Sequence, residues 1–411
     1  MSQEQNYFVG QELLHTPGGV RDIYGAECAS KKKLQGQIQK VFSSHGFRDI
    51  QTPTFEYFDI FSKERGTVQS NAMFKFFDRG NNTLVLRPDI TPSIARCVAK
   101  YYREEEIQLR LCYMGETFVN TSPYKGKLQE VTQLGAELIN DNTSDADAEM
   151  VAMTVECLLT SGLKEFQIEV GHADLLPALM EEAGLSPEEA QRVKELIESK
   201  NFFGVEDYLD QLTVTEDLRE IFLKLPELLG DLDEAVEFVQ TRTGSDRVLK
   251  ALDRLIKLSE IIDQYGYSQY VSVDLSMLSH YSYYTGVIFR AYTYGNGEAL
   301  ASGGRYDGLL SQFGKEAPAI GIALVIDQLM LALDRQHLLP VEHVGGTIVL
   351  YSVVDRKKAL EEAARLRSAG ERVQLIRKSS HRDLKQYQEY RDHMGMDRLL
   401  YVTRDGVETL A

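Results

Sequence analysis

Residues 107–139, IQLRLCYMGETFVNTSPYKGKLQEVTQLGAELI, decide how the central part of this chain folds. Two β-prone runs, IQLRLCYMGETFV and LQEVTQLGAELI, lie on either side of a polar, glycine-containing segment. Two more such runs precede them, and others resume much later in the chain: MFKFFDR, NTLVLRPD, YVSVDLSML, YYTGVIFRAYT and EALASGGRYD. Because consecutive strands without an intervening helix need only hairpin connections, the sequence predicts an antiparallel sheet.

Helical patterns flank this predicted sheet. Apolar positions recur at helical spacing over residues 26–45, and Gly46 follows as a helix stop. Ser144 or Asp145 is predicted as the N-cap of a second helix. Residues from about 174 to 265 are rich in Glu, Leu and Lys, with helical spacing and almost no β signal. They are predicted to form a helical insertion.

The C-terminal part alternates between strand and helix. The β-prone runs TIVLYSVV, RVQLIRK and RLLYVT are separated by two helical segments. This βαβαβ order predicts a small parallel sheet in a separate domain. We therefore predict an α+β protein with a core over residues 1–335, which contains the insertion, and a small α/β domain over residues 345–411.

Charge argues against a nucleic-acid partner. The chain has 45 basic and 62 acidic residues, and its formal net charge is −17. A polyanion such as tRNA gains affinity by exchanging its counterions for Lys and Arg, whereas this chain offers a repulsive field. A local basic patch stays compatible with that average.

Cysteines and hydropathy indicate a reducing compartment. The four cysteines are scattered without a CxxC pair, which predicts free thiols and no zinc site. The N-terminus has no basic region followed by an apolar run, so no signal peptide is predicted. The apolar runs are far shorter than a membrane span, and we expect a cytoplasmic protein without a membrane partner.

Seven segments resemble, in order, the conserved blocks of histidyl-tRNA synthetases. They are TPGGVRDI, GFRDIQTPTFE, LRPDITPSIAR, the block from Tyr113 to Glu137, YYTGVIF, ASGGRYDGL and APAIGIAL. One segment alone is weak, but the ordered series over nearly the whole chain is specific. The resemblance implies the class II aminoacyl-tRNA synthetase-like fold, an antiparallel sheet flanked by helices. It also implies a homodimer, with the GFRDIQTPTFE region at the subunit interface.

Departures from that pattern fall on the arginines that synthetases use. Val119 and Gln328 stand where the family holds ATP with arginine, and Asp327 replaces a glutamate. Ser279 stands where the synthetases have an arginine for the substrate carboxylate. One oriented charge in such a site is worth about 10²–10³ in rate, so losing all three argues against adenylation. The C-terminal domain resembles a truncated anticodon-binding domain, and no tRNA partner is expected.

The resemblance also implies a histidine pocket. Its candidate residues are Asp89, Thr91, Gln133, Glu137, Tyr283, Tyr284 and Arg305. Carboxylates and an amide suit the N–H groups of histidine, and aromatic faces suit its ring. Gln133 and Glu137 are four apart on a predicted strand and therefore face the same side.

Several of these assignments have structural alternatives. Strand alternation would point one of Tyr283 and Tyr284 inward and the other toward a cleft or solvent. Arg305 is either a ligand group or part of a salt bridge. The histidines, such as His45 and His280, show no partner pattern and are predicted to lie on the surface or in loops.

A histidine pocket without ATP chemistry is typical of one family: the regulatory subunit of short-form ATP phosphoribosyltransferase. This resemblance implies a non-catalytic subunit of a glycosyltransferase complex, in the first step of L-histidine biosynthesis. It implies that the chain activates the catalytic subunit and mediates feedback inhibition by histidine, as a homodimer within a hetero-oligomer, for which the family suggests a hetero-octamer. No cofactor or metal is expected. The alternative is a divergent active ligase of the class II synthetase type.

Overall fold

The computed structural model describes residues 14–62, 68–121, 127–228, 232–279, 281–340 and 343–410. The chain divides into two compact units. The larger unit contains residues up to Asp22 and Lys33–Leu339, and the smaller unit contains Ile23–Lys32 and the residues from Pro340 onward. The independent folding of the two predicted domains stays a prediction.

The larger unit contains a central sheet and a small one. Its strands are β1 (Arg48–Asp49), β2 (Phe55–Tyr57), β3 (Lys75–Phe77), β4 (Thr83–Leu86), β5 (Leu109–Phe118), β6 (Glu130–Ile139), β7 (Gln167–His172), β8 (Val271–Val273), β9 (Val287–Tyr292), β10 (Ala301–Arg305) and β11 (Ala319–Val325). The central sheet has the order β1-β5-β6-β11-β10-β9-β7-β8, and the small sheet has the order β2-β4-β3. Only two neighbouring pairs in the central sheet, β1 with β5 and β7 with β8, are parallel. The predicted antiparallel sheet is therefore confirmed, with parallel pairs at its two edges.

Helices flank the central sheet. They are α1 (Gly25–Ser44), α2 (Thr91–Tyr101), α3 (Ser144–Thr160), α4 (Leu175–Glu182), α5 (Pro187–Glu198), α6 (Phe202–Leu209), α7 (Glu216–Lys224), α8 (Leu232–Gln240), α9 (Asp246–Tyr265) and α10 (Ile326–Arg335). Helices α4 to α9 confirm the helical insertion. The N-cap of α3 is Thr143, so the prediction of Ser144 or Asp145 is wrong by a residue or more. Thr143 has extended backbone angles, and its hydroxyl accepts from the backbone N–H of Ala146 at 3.2 Å.

The main core lies on one face of the central sheet. Alternate residues of β9, Val287, Phe289 and Ala291, are buried in the same apolar cluster as much of α3 and α9. The intervening residues Ile288 and Arg290 project to the opposite face. That opposite face carries the site described below.

The smaller unit has its own sheet. Its elements are β12 (Thr347–Tyr351), α11 (Arg356–Ser368), β13 (Val373–Arg377), α12 (Leu384–His393), β14 (Arg398–Val402) and β15 (Val407–Leu410). The sheet order is β13-β12-β14-β15, and the first three strands are parallel. The βαβαβ prediction is confirmed. The antiparallel edge strand β15 was not predicted; it follows a tight turn in which Thr403 N donates to Gly406 O at 2.8 Å.

Candidate functional site

A polar pocket lies on the sheet face opposite the main core. Gln133 and Glu137 of β6 both line it, as their spacing predicts. Gly321 of β11 pairs with Glu137 in register, and a Cβ atom on Gly321 would lie 1.9 Å from Glu137 Oε2. Glycine at 321 therefore makes the room that the carboxyl group occupies.

Glu137 is the buried centre of the pocket, with 1% of its surface exposed. Thr91, at the start of α2, donates its hydroxyl hydrogen to Oε1 at 2.8 Å. Tyr306 donates to Oε2 at 2.5 Å. Both partners are neutral, so the carboxyl group is hydrogen-bonded without a compensating positive charge.

Asp89 supplies a second buried carboxyl group. It immediately precedes α2, and its Oδ1 accepts from the backbone N–H of Ile90 at 2.7 Å. Its Oδ2 accepts from the Tyr283 hydroxyl at 3.0 Å. The start of α2 thus holds Asp89 and Thr91 at the same pocket.

Tyrosine rings form the wall above these acids. The Tyr283 ring stacks on Tyr281 with a centroid distance of 5.5 Å, and it meets Tyr284 edge-on at 5.1 Å. Both Tyr283 and Tyr284, members of the candidate set, line the pocket, so the alternative in which strand alternation separates them does not hold. They lie in a turn before β9 and not on the strand itself, and a turn does not impose alternation.

Burial dominates the electrostatics of the pocket. Desolvation raises the pKa of Glu137 to about 8, against the smaller lowering by the Tyr306 and Thr91 hydrogen bonds. Desolvation also raises the pKa of Asp89. Gln133 Oε1 is buried, and none of the described residues donates to it. The described lining contains no Lys, Arg or His, so the pocket offers acceptors to a ligand that carries N–H groups or positive charge.

The structure brings most of the candidate residues together. Those that line the pocket are Asp89, Thr91, Gln133, Glu137, Tyr283 and Tyr284. The candidate set left out Tyr281, Ser302 and Tyr306, which line it as well. Strand alternation could have predicted Tyr306. It follows Arg305 at the end of β10, so its side chain must point to the face opposite that of Arg305.

Arg305 does not line the pocket. Of its two alternatives, the structure has the salt bridge: Arg305 Nη2 lies 2.7 Å from Asp147 Oδ1 on the opposite face of the sheet. Arg254 of α9 pairs with the other oxygen of Asp147 at 2.6 Å. Asp147 is fully buried and Arg305 is 3% exposed. This cluster connects the sheet, α3 and the helical insertion.

A larger cleft adjoins the pocket. Tyr281, Tyr284 and Ser302 line both, and the free space including the opening to solvent is about 320 Å³ in the pocket and about 1090 Å³ in the cleft. Glu298, at the side of the cleft, pairs with Lys127 at 2.8 Å and accepts from Gln328 Nε2 at 3.0 Å. Lys127 and Gln328 are therefore turned toward Glu298.

His45 has partners that the sequence did not reveal. Its Nε2 lies 2.8 Å from Glu156 and its Nδ1 lies 3.4 Å from Glu149, both on α3. His45 lies in the turn after α1, as the prediction of a surface or loop histidine allows, but its partners are more than a hundred residues away in sequence and no local pattern indicates them. His280 lies outside the described residues.

The described residues also bear on two other features, a metal site and a membrane span. Within the described ranges, no group of three or more His, Cys, Asp and Glu side chains is arranged to bind a metal ion. No helix among the same residues is long and apolar enough to span a bilayer.

Comparisons with known proteins place this chain in a family. A sequence model of histidyl-tRNA synthetase matches residues 19–329. The ATP phosphoribosyltransferase regulatory subunit of Acetivibrio thermocellus is 41% identical over 362 residues, which cover 88% of this chain and 86% of that protein. The chain belongs to the family of ATP phosphoribosyltransferase regulatory subunits, whose fold is that of histidyl-tRNA synthetase. Another member, from Caldanaerobacter subterraneus, is 35% identical and covers 92% of this chain and 99% of its own length.

Solved structures agree with this regulatory-subunit family. A structure named ATP phosphoribosyltransferase regulatory subunit/histidyl-tRNA synthetase, from Bacillus halodurans, superposes with a TM-score of 0.83 at 32% identity. It covers 94% of this chain and 97% of its own. A histidyl-tRNA synthetase from Nostoc superposes with a TM-score of 0.78 at 19% identity, covering 95% and 92%, and supports the fold alone. The predicted class II synthetase-like fold is confirmed.

Proposed function

We propose that this chain is the non-catalytic, histidine-sensing regulatory subunit that a short-form ATP phosphoribosyltransferase catalytic subunit requires for activity. The observation that carries the proposal is the buried pocket around Glu137, whose acids have neutral partners among the described residues. In this proposal, histidine binds there and inhibits the partner enzyme, which catalyses the first step of histidine biosynthesis in the cytoplasm.

The chemistry of the pocket supports histidine as its ligand. Glu137 and Asp89 accept hydrogen bonds and favour positive charge, and Gln133 Oε1 lacks a donor among the described residues. The ammonium group and the ring N–H groups of histidine supply such donors. Aromatic faces from Tyr281 and Tyr284 can stack on an imidazole ring or hold a cation.

The adjoining cleft supports a non-catalytic role. Adenylation needs fixed cationic donors on the polyphosphate. At the positions where the synthetase resemblance expects them, this chain has Val119 and Gln328, and Gln328 donates to Glu298. An acidic partner for Lys127 and Gln328 would repel phosphate, and this disfavours the active-ligase alternative.

The proposal includes a homodimer inside a hetero-oligomer. The small sheet exposes apolar side chains on one face, with Phe55 51%, Tyr57 56% and Phe76 37% exposed. Contiguous exposed apolar surface is typical of an interaction site. Light scattering on the purified chain, alone and with the catalytic subunit, measures both association steps.

Reconstitution tests the regulatory role directly. The purified chain is mixed with the short-form catalytic subunit from the same source, and formation of phosphoribosyl-ATP is followed with and without L-histidine. We expect activity only in the mixture and inhibition by histidine. A catalytic subunit that is fully active alone, or a mixture that histidine leaves unchanged, would contradict the proposal.

A second assay separates this proposal from the ligase alternative. Histidine-dependent ATP–pyrophosphate exchange is measured on the chain alone, with an authentic histidyl-tRNA synthetase as the positive control. We expect no exchange above background. Efficient exchange would establish the ligase alternative.

A further inference from the structure

Arg290 is a half-buried cation with unused hydrogen-bond donors. It lies on β9, on the face of the sheet that carries the pocket, and lines the adjoining cleft. Its Nη2 donates to the backbone carbonyl of Leu278 at 2.6 Å. Glu169 of β7 lies opposite Arg290 in register, yet within the described residues no carboxylate forms an ion pair with this guanidinium. A guanidinium has five N–H donors, so several remain for a ligand.

The hydrogen bond to Leu278 fixes where this guanidinium lies. Leu278 precedes Ser279, the position at which the synthetase resemblance expects an arginine for the substrate carboxylate. The Ser279 hydroxyl donates to the carbonyl of Tyr281 at 2.6 Å, within the local turn. Arg290 therefore places a positive charge beside Ser279, which is itself uncharged.

The region around Arg290 is continuous with the polar pocket. Ser302 of β10 pairs with Arg290 in register and lines both cavities. Tyr284 lines both cavities as well. Burial, Tyr281 and the carboxyl groups of Asp89 and Glu137 raise the pKa of Tyr284, whereas Arg290 lowers it. Tyr284 thus lies within electrostatic reach of the buried acids and of Arg290.

We propose that Arg290 forms an anion subsite that binds the carboxylate of an amino-acid ligand whose cationic part lies against Glu137. A guanidinium suits this role because it can hold a carboxylate through two parallel hydrogen bonds. Lys127, the other cation in the described lining of the cleft, is already paired with Glu298. This assignment rests on the proposed function, since it takes histidine as the ligand, and it makes Arg290 the residue that distinguishes histidine from its decarboxylated or reduced analogues.

Calorimetric titration with L-histidine and with L-histidinol, which has CH₂OH in place of the carboxylate, tests the subsite. We expect the wild-type chain to bind histidine at least about tenfold more tightly than histidinol, within the range of a charge-assisted hydrogen bond. Arg290→Gln should lose that preference and keep the affinity for histidinol. Arg290→Lys should restore part of the preference, and Lys127→Gln, the matched control, should retain it fully.

The outcomes separate this inference from the proposed function. If Arg290→Gln binds histidine as tightly as wild type, the subsite is wrong and the histidine-sensing proposal stands. If the wild-type chain binds neither compound, alone or with the catalytic subunit, both are wrong. Retained histidinol affinity shows that Arg290→Gln is folded. If Arg290→Gln loses its affinity for histidinol, the test passes to Arg290→Lys. Histidinol binding by Arg290→Lys without any preference for histidine would overturn the subsite.

Discussion

Two buried polar regions on opposite faces of one sheet differ in the partners of their carboxyl groups. Asp147 is surrounded by cations: Arg305 Nη2 at 2.7 Å and Arg254 Nε at 2.6 Å. Glu137 is equally inaccessible, but the Thr91 and Tyr306 hydroxyls are its hydrogen-bond partners. Burying an ion is unfavourable unless it is paired. The first carboxylate is therefore compensated within the chain, whereas desolvation raises the pKa of the second.

This difference separates a structural cluster from a binding site. Removing one member of a compensated buried pair leaves an unpaired charge inside the protein, which is strongly destabilising. Replacing an acid whose partners are neutral leaves no unpaired charge inside the protein. It does remove the negative charge that a cationic ligand needs. The following predictions test that contrast.

The largest effect is expected at the compensated cluster. Asp147→Asn should lower the free energy of unfolding by about 3–5 kcal/mol, because it leaves buried Arg305 without its buried carboxylate partner. Urea unfolding followed by circular dichroism measures the change. The matched control is Asp307→Asn, which removes the 37% exposed partner of the same arginine and should cost less than about 1 kcal/mol. Equal effects of the two substitutions would contradict the structural role of Asp147.

Glu137→Gln should show the opposite pattern. We expect histidine affinity to fall on the order of 100-fold, because a buried charge–charge contact is lost. At pH 4.5, the free energy of unfolding should change by less than about 1 kcal/mol, since Gln keeps an acceptor for Thr91. Calorimetric titration and urea unfolding on the same preparation measure both quantities. A large loss of stability with unchanged affinity would place Glu137 in the same class as Asp147.

The titration of Glu137 predicts a pH effect. Its folded-state pKa of about 8 lies above its ordinary value of 4.5, so its contribution to stability is complete below pH 4.5 and is lost as pH rises through 8. Wild type should therefore lose stability relative to Glu137→Gln between pH 4.5 and 8, by at most about 1.4 kcal/mol per pH unit. Thermal unfolding of both proteins across this range measures the difference. Parallel curves would show that Glu137 is already ionised at neutral pH.

The smallest effect is expected at the half-exposed cluster around His45. The Glu149 hydrogen bond, against desolvation, raises the pKa of His45 above 6.5, and Glu156 acts in the same direction. The stability this provides is present below pH 6.5 and is lost as pH rises through the folded-state pKa. His45→Gln should remove about 0.5–1 kcal/mol of pH-dependent stability, measured by urea unfolding at pH 5.5 and 8.5. The exposed His393→Gln is the control, and an equal response of both variants would argue against the cluster.

Local patterns in the sequence predict much of this fold, because strand and helix periodicity are local properties. The spacing of Gln133 and Glu137 is sufficient to place both side chains at one pocket. Pairing between distant segments is not local: the parallel pairs β1–β5 and β7–β8 join residues that no periodicity connects. The same limit hides the partners of His45.

The candidate site was predicted from resemblance more than from physics. Asp89 and Thr91 belong to it because α2 begins beside β6, which their own sequence does not reveal. Arg305 and Tyr306 are adjacent, so a one-residue difference in strand phase decides which of them meets Glu137. The orphaned oxygen of Gln133 and the raised pKa of Glu137 depend on burial, which only the folded structure supplies.

Within the helical insertion, the end of α4 lies next to the residues that precede α9. Glu182, the last residue of α4, accepts from the backbone N–H of Gly244, just before α9, at 2.6 Å and from the Thr243 hydroxyl at 2.5 Å. Residues 183–242 therefore leave and re-enter the fold at points that already touch, whereas α9 is tied to the core through Arg254. Chain can be gained or lost between such points without altering strand order, since loop-closure entropy grows slowly with length. Helices α5 to α8 are thus the part of this molecule that can be replaced without changing the strand order, provided that the replacement covers the same core residues.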